Sequence, residues 1–115
     1  MPYTFEDASL EVSAEPQIKD GITWVPLRSV AQAMGATVDW DPDNRIAILY
    51  LGDRIATFKI GTPSADVDGT PVELRAAPYL DNGDTWIPAR FFEQGLGFGL
   101  QVDAQQNLVR FSNPA

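Results

Sequence analysis

The sequence predicts an α+β domain: an antiparallel, meandering sheet of about five or more strands packed with two short helices. Three observations carry that expectation: an internal repeat of period 62, a helix-type apolar stripe after a proline in each copy, and hairpin signals between the copies. Residues 20–49 read DGITWVPLRSVAQAMGATVDWDPDNRIAIL and residues 82–111 read NGDTWIPARFFEQGLGFGLQVDAQQNLVRF. Gly21, Thr23, Trp24, Pro26, Arg28, Gln32, Gly35 and Asp41 recur as Gly83, Thr85, Trp86, Pro88, Arg90, Gln94, Gly97 and Asp103. Eight identities in thirty ungapped positions are unlikely by chance. Two copies, at about 16–51 and 78–112 with no linker-like segment between them, suggest one domain over 1–115 with internal pseudo-symmetry, not a solenoid.

Each copy begins with an extended segment, Pro16 to Asp20 or Pro78 to Asn82, which meets a Gly-containing turn and enters a short Thr-Trp-Val/Ile strand. Pro26 and Pro88 suit the first helical position, where a missing N–H is harmless. Leu27, Val30, Ala31 and Met34 then fall at i, i+3, i+4 and i+7, one face of a helix that Gly35 closes. In the second copy Ala89, Phe92 and Leu96 mark the stripe and Gly97 the stop. Gly95 inside this second helix should cost up to about 1 kcal/mol relative to Ala, making it the weaker of the two. Strand-turn-strand units follow: Thr37 to Asp41 and Arg45 to Leu51, then Leu100 to Asp103 and Asn107 to Phe111. Between the copies, Gly52-Asp53 and Asp68-Gly69 are two-residue hairpin candidates. Ala56, Phe58 and Ile60 alternate with Thr57 and Lys59 as in a half-buried strand.

Composition excludes several function classes. Sixteen acidic against eight basic residues give a net charge of −8, and the cations are scattered. Nucleic acid and anionic membranes, which are bound by clustered Lys and Arg, are therefore poor partners. No apolar run reaches the roughly 18 residues of a membrane span, and the first residues have neither the basic region nor the apolar core of a signal peptide. The chain has no Cys and no His. Zinc and copper sites and most nucleophilic triads lean on those residues. Carboxylate chemistry, or a Ser/Lys pair using Lys19 or Lys59, is what remains for catalysis; no cofactor is expected.

The doubled motif Asp20-Gly21-Ile22-Thr23-Trp24-Val25-Pro26-Leu27-Arg28 and Asn82-Gly83-Asp84-Thr85-Trp86-Ile87-Pro88-Ala89-Arg90, with Val38-Asp39-Trp40-Asp41 and Val67-Asp68-Gly69, resembles the copper amine oxidase N-terminal-like domain. The resemblance covers roughly residues 9–112. It implies an antiparallel sheet of about five strands packed on helices. It also implies a stalk or accessory module of secreted or cell-envelope bacterial proteins. The oxidase reaction is not carried over, because its copper is held by histidines. Trp24, Trp86, Val102 and Ala89 depart from the residues usual in that family.

Several residues carry sharper readings. Arg28 and Arg90 each precede an aspartate, Asp41 or Asp103, by thirteen residues. They form either Arg–carboxylate pairs that tie helix to strand or guanidinium groups open to an anionic ligand; recurrence in both copies suits the fold requirement better. Trp24, Trp86 and Tyr79, with Tyr50, are either a platform for sugar rings or, for the tryptophans, core beneath the helices. Asp39, Asp41 and Asp43 alternate as in a calcium loop but lack its Gly and Glu, so an Asx-type turn explains them better. The leading expectation is a non-catalytic envelope module that contacts a wall glycan or a protein, or acts as a spacer or homodimer unit. The alternatives are a purely structural dimerisation domain and a small carboxylate-based hydrolase.

Overall fold

A computed structural model describes residues 2–114. The chain runs β1 (Tyr3–Phe5), β2 (Ala8–Ser9), β3 (Gln17–Lys19), β4 (Ile22–Pro26), α1 (Leu27–Ala33), β5 (Thr37–Asp41) and β6 (Ile46–Leu51). It continues through β7 (Arg54–Lys59), β8 (Ser64–Val67), β9 (Thr70–Glu73), β10 (Tyr79–Asp81) and β11 (Asp84–Pro88). It ends with α2 (Phe91–Gln94), β12 (Gly99–Asp103) and β13 (Leu108–Ser112).

The expected α+β meander is corrected on two counts. Strand makes up 50% of the structure and helix 10%, so the protein is mostly β. Its strands also fall into three sheets, ordered β10-β11-β4-β3, β5-β6-β7-β8-β9 and β12-β13-β1-β2. The repeat explains why. The Thr-Trp-Val/Ile-Pro strands of the two copies pair antiparallel with each other, with Trp86 opposite Pro26, Ile87 opposite Val25 and Pro88 opposite Trp24. A local two-fold axis therefore passes near the Val25–Ile87 pair. Each proline ends its strand, because it has no N–H to continue the ladder. Past each proline and helix the chain starts a new hairpin in its own flanking sheet. The first copy's hairpin, β5-β6, grows by β7, β8 and β9; the second's, β12-β13, is extended by β1 in parallel and then β2.

Pro26 sits one place earlier than expected, as the extended N-cap of α1 at φ −75° and ψ 117°. At the other end Gly35 adopts φ +93°, the left-handed conformation that closes a helix. Its N–H donates to the Gln32 carbonyl at 3.1 Å and the Ala36 N–H to Ala31 at 2.9 Å, the paired bonds of a Schellman cap. Pro88 closes β11, and α2 is only four residues long. Gly97, at φ +80°, donates to the Glu93 carbonyl at 3.1 Å. The carbonyls of Gly95 and Leu96 accept from Arg54 on β7 at 2.9 and 3.1 Å, so a guanidinium from the first copy's sheet caps the second copy's short helix.

Val25 and Ile87 face one buried cluster with Leu27, Val30, Leu49, Phe58, Phe91, Phe92 and Phe111. Tyr3, fully buried, ties the N-terminal strand to it and donates its hydroxyl proton to the Ala14 carbonyl at 2.9 Å. Burial, with the nearby Glu15 charge, pushes the phenol far above its usual range. The hairpins follow turn chemistry. Asp20-Gly21, Asp68-Gly69 and Asn82-Gly83 all have positive φ at both central positions, which the twist of a two-residue hairpin favours. The β5-β6 and β12-β13 hairpins instead have four-residue loops, each closed by its aspartate. Asp41 Oδ1 accepts from the N–H groups of Asp43 and Asn44 at 3.1 and 3.3 Å, and Asp103 Oδ1 from those of Gln105 and Gln106 at 3.1 and 3.2 Å.

Two predictions test this packing. Helix propensity alone predicts that Gly95→Ala gains up to about 1 kcal/mol. An alanine Cβ, however, would lie 2.5 Å from Phe91 Cε1, and Phe91 is fully buried and cannot swing away. Overpacking of this kind costs about 1–3 kcal/mol, so Gly95→Ala is expected to lower the urea midpoint. A raised midpoint would show that the ring yields. The second concerns Asp41, whose carboxyl is held below its ordinary value first by the Asn44 side-chain amide and then by the Asn44 and Asp43 N–H groups. Its contribution to the turn is therefore present above the unfolded value and lost as pH falls through the lower folded one. A carbon-detected NMR titration should place Asp41 below the ordinary aspartate range, and Asn44→Ala should raise it.

Candidate functional site

The strand pairing at the centre places the aromatic candidates. Along β4 and β11, alternate residues point to opposite faces, so Trp24 and Trp86 lie on the face away from Val25 and Ile87. They are 5% and 3% exposed and stand outside the main buried cluster. Tyr79 lies against both: its ring meets Trp24 edge-on with centroids 4.9 Å apart and stacks with Trp86 at 6.5 Å. Lys19 Nζ sits 4.2 Å from the Tyr79 ring centroid, a cation–π contact. The two tryptophans thus form a second, smaller aromatic core on the other side of the central sheet and present no open platform.

The paired arginines also separate. Among the described residues the ion pairs are Arg54–Asp68 at 3.4 Å and Arg90–Glu93 at 3.1 Å. Asp41 and Asp103 bond to their own turns, so neither expected Arg–Asp tie forms. Arg28 and Arg90, both exposed at helix entries, instead line two grooves related by the internal two-fold.

The first groove, of about 350 Å³, is lined by Arg28, Val38, Trp40, Leu80, Asp84 and Thr85, with Asp39, Ala47 and Gly83 around them. It lies between the β10-β11 hairpin of the second copy and the helix entry and β5 of the first. The other, of about 290 Å³, has Arg90, Val102, Ile18, Ile22 and Thr23 at the corresponding positions, with Arg75 added. Because β4 and β11 pair antiparallel, each copy's hairpin is carried across to the other copy's helix. Each groove is therefore built from both copies. The grooves share the arginine, the threonine and a turn glycine and differ elsewhere: Val102 stands at the position of Trp40, and Ile22 at that of Asp84.

Trp40 is the functional candidate that reasoning from the repeated motif passed over. It is half-buried, packs one side on the main core and lines the first groove with the rest. The signal in the sequence is the difference between the copies, Trp40 against Val102, rather than their identities. Arg54, which caps α2 and pairs with Asp68, was also missed, since nothing in its local sequence marks a contact with residues some forty positions away.

The structure offers no copper chemistry to the groove. The chain has no imidazole or thiolate donor, and among the described residues no three carboxylates converge as ligands. No helix among the described residues is long and apolar enough to cross a membrane.

Comparison with known proteins agrees with the doubled motif. A protein of Brevibacillus choshinensis named "Protease inhibitor" is 31% identical over 70 residues, which is 61% of this chain and 22% of that protein. The chain thus spans about a fifth of that relative's length. The family model described as copper amine oxidase N-terminal domain matches residues 4–111, nearly all of the chain. That domain is a non-catalytic accessory part of the oxidases that carry it. This chain belongs to the copper amine oxidase N-terminal domain family.

Proposed function

We propose that the protein is a non-catalytic extracytoplasmic accessory module that holds a neutral cell-wall glycan in the groove beside Trp40. The observation that carries the reading is the asymmetry of two grooves that the fold makes alike: only one has an aromatic ring beside its arginine. An indole offers a flat apolar surface to the C–H face of a sugar ring. The Arg28 guanidinium donates hydrogen bonds to ring hydroxyls, while the Asp84 carboxylate and the Thr85 hydroxyl accept them. One cation, Arg28, against the Asp39 and Asp84 carboxylates leaves the groove without an excess of positive charge, which suits a hydroxyl-rich neutral ligand better than an anionic polymer. The family's association with extracellular or secreted proteins supports the setting.

N-acetylglucosamine oligosaccharides are the probe for this reading. Titration is expected to produce a saturable change in tryptophan fluorescence, because Trp40 is the partly exposed indole while Trp24 and Trp86 are shielded. Trp40→Ala and Arg28→Ala should each weaken binding by about tenfold or more, the effect of losing one good contact of roughly 1.4 kcal/mol. Arg90→Ala, in the sister groove, should leave it unchanged. If wild type shows no saturable response, or if Trp40→Ala binds as well as wild type, the groove is not a glycan site.

A further inference from the structure

We infer that the outer face of the five-stranded sheet is a docking surface for a polypeptide segment that presents apolar side chains flanked by lysine or arginine. The register of β5, β6 and β7 puts Ile46, Ile48 and Tyr50 on the face opposite Ala47 and Leu49, with Ile55 directly across from Tyr50. Tyr50 is 37% and Ile55 45% exposed, and none of the four joins the buried cluster or the residues packed against it. They form an apolar strip along the middle of the face.

The repeat acts as an internal control. Strand β13 occupies the matching place in the other copy, and its residues at the positions of Ile46, Ile48 and Tyr50 are Leu108, Arg110 and Ser112. The fold therefore accepts polar and charged side chains on this face, so strand formation alone does not require the isoleucine and the tyrosine.

Charge identifies the occupant. Asp39 lies opposite Ile48, and Asp41 opposite Ile46, along one side of the strip. On the other side Asp66 stands across Thr57, beyond Ile48, and Lys59 is the one cation on these rows. An apolar strip bordered by three carboxylates, Asp39, Asp41 and Asp66, against one lysine attracts a segment whose apolar side chains are bordered by cations, and repels an anionic lipid surface. A second copy docked face to face would set aspartates against aspartates, so the face is not suited to self-association. The apolar strip lies on the other side of the sheet from Trp40 and shares only Asp39, at the sheet's edge, with the groove lining, so the inference does not rest on glycan binding.

The test uses an amphipathic Lys/Leu peptide and a Lys/Ser peptide of equal length and charge, titrated into the isotopically labelled protein. Backbone and methyl shifts are expected at Ile46, Ile48, Tyr50 and Ile55, with the Leu peptide binding at least about tenfold more tightly than the Ser peptide. Installing the second copy's residues, Ile48→Arg with Tyr50→Ser, should abolish that preference while leaving the melting temperature near wild type, because both positions lie outside the core. Asp39→Asn with Asp66→Asn provides a second variant, which should weaken the Leu peptide at low salt. Equal affinity for the two peptides, shifts scattered over the acidic surface, or a double variant that keeps the preference would each overturn the inference. So would concentration-dependent shifts at the strip in the absence of peptide, which would identify a second copy as the occupant.

Discussion

The pairing of β4 with β11 is the contact on which the rest of the molecule depends. Each strand is short, and each ends in a proline that cannot extend the ladder, so neither copy could form a stable sheet alone. Laid antiparallel, they place Val25 and Ile87 in the main core and Trp24 and Trp86 on the reverse face with Tyr79. The helices must then leave at opposite ends of the ladder, which sends the two following hairpins into separate sheets. The grooves arise from the same crossing, since each needs a hairpin from one copy and a helix entry from the other.

A duplicated motif also separates scaffold from specialisation without any comparison to another protein. Most positions held the same in both copies turn out to serve geometry: the prolines end strands, Gly35 and Gly97 close helices, and Asp41 and Asp103 brace four-residue turns, while Arg28 and Arg90 each line a groove. Positions that differ at equivalent places are free of that duty. Trp40 against Val102, and Ile48 and Tyr50 against Arg110 and Ser112, are the places where the fold leaves the choice of side chain open, and both proposed binding surfaces rest on them.

Much of the local structure was legible because it follows from single residues. Hairpins were readable at Gly52-Asp53 and Asp68-Gly69, and α1 from its apolar spacing and its glycine stop. The division into sheets was not, because alternation tells which face a residue occupies and says nothing of which strand lies beside it. The β1-β2 hairpin was hidden for a different reason: its turn, Glu6-Asp7, takes positive φ at both residues without a glycine to announce it. Arg28 and Asp41 looked like an ion pair through their matched spacing. A carboxylate two residues before a backbone N–H has a nearer partner, and the turn takes it. The tryptophans had been weighed as exposed platform or as core beneath the helices; they are shielded on the face away from those helices, a third arrangement that becomes visible only once β4 and β11 are paired.

The two proposed surfaces share a strand pair, and that sharing constrains both. Val38, Trp40 and Ala47 point inward toward the core and the groove, while Asp39, Ile46 and Ile48, their neighbours in sequence, point outward. The side-chain period of a strand is two, so a register slip of β5 by one residue against β6 would exchange the faces of β5, exposing Val38 and burying Asp39. The core side forbids that slip, because Val38 belongs to the buried cluster. The rigidity of the inner face thus fixes the outer strip and the position of Trp40 together. Ligands on opposite sides of one sheet need not compete, and an accessory module that holds a saccharide on one side could hold a protein on the other at the same time.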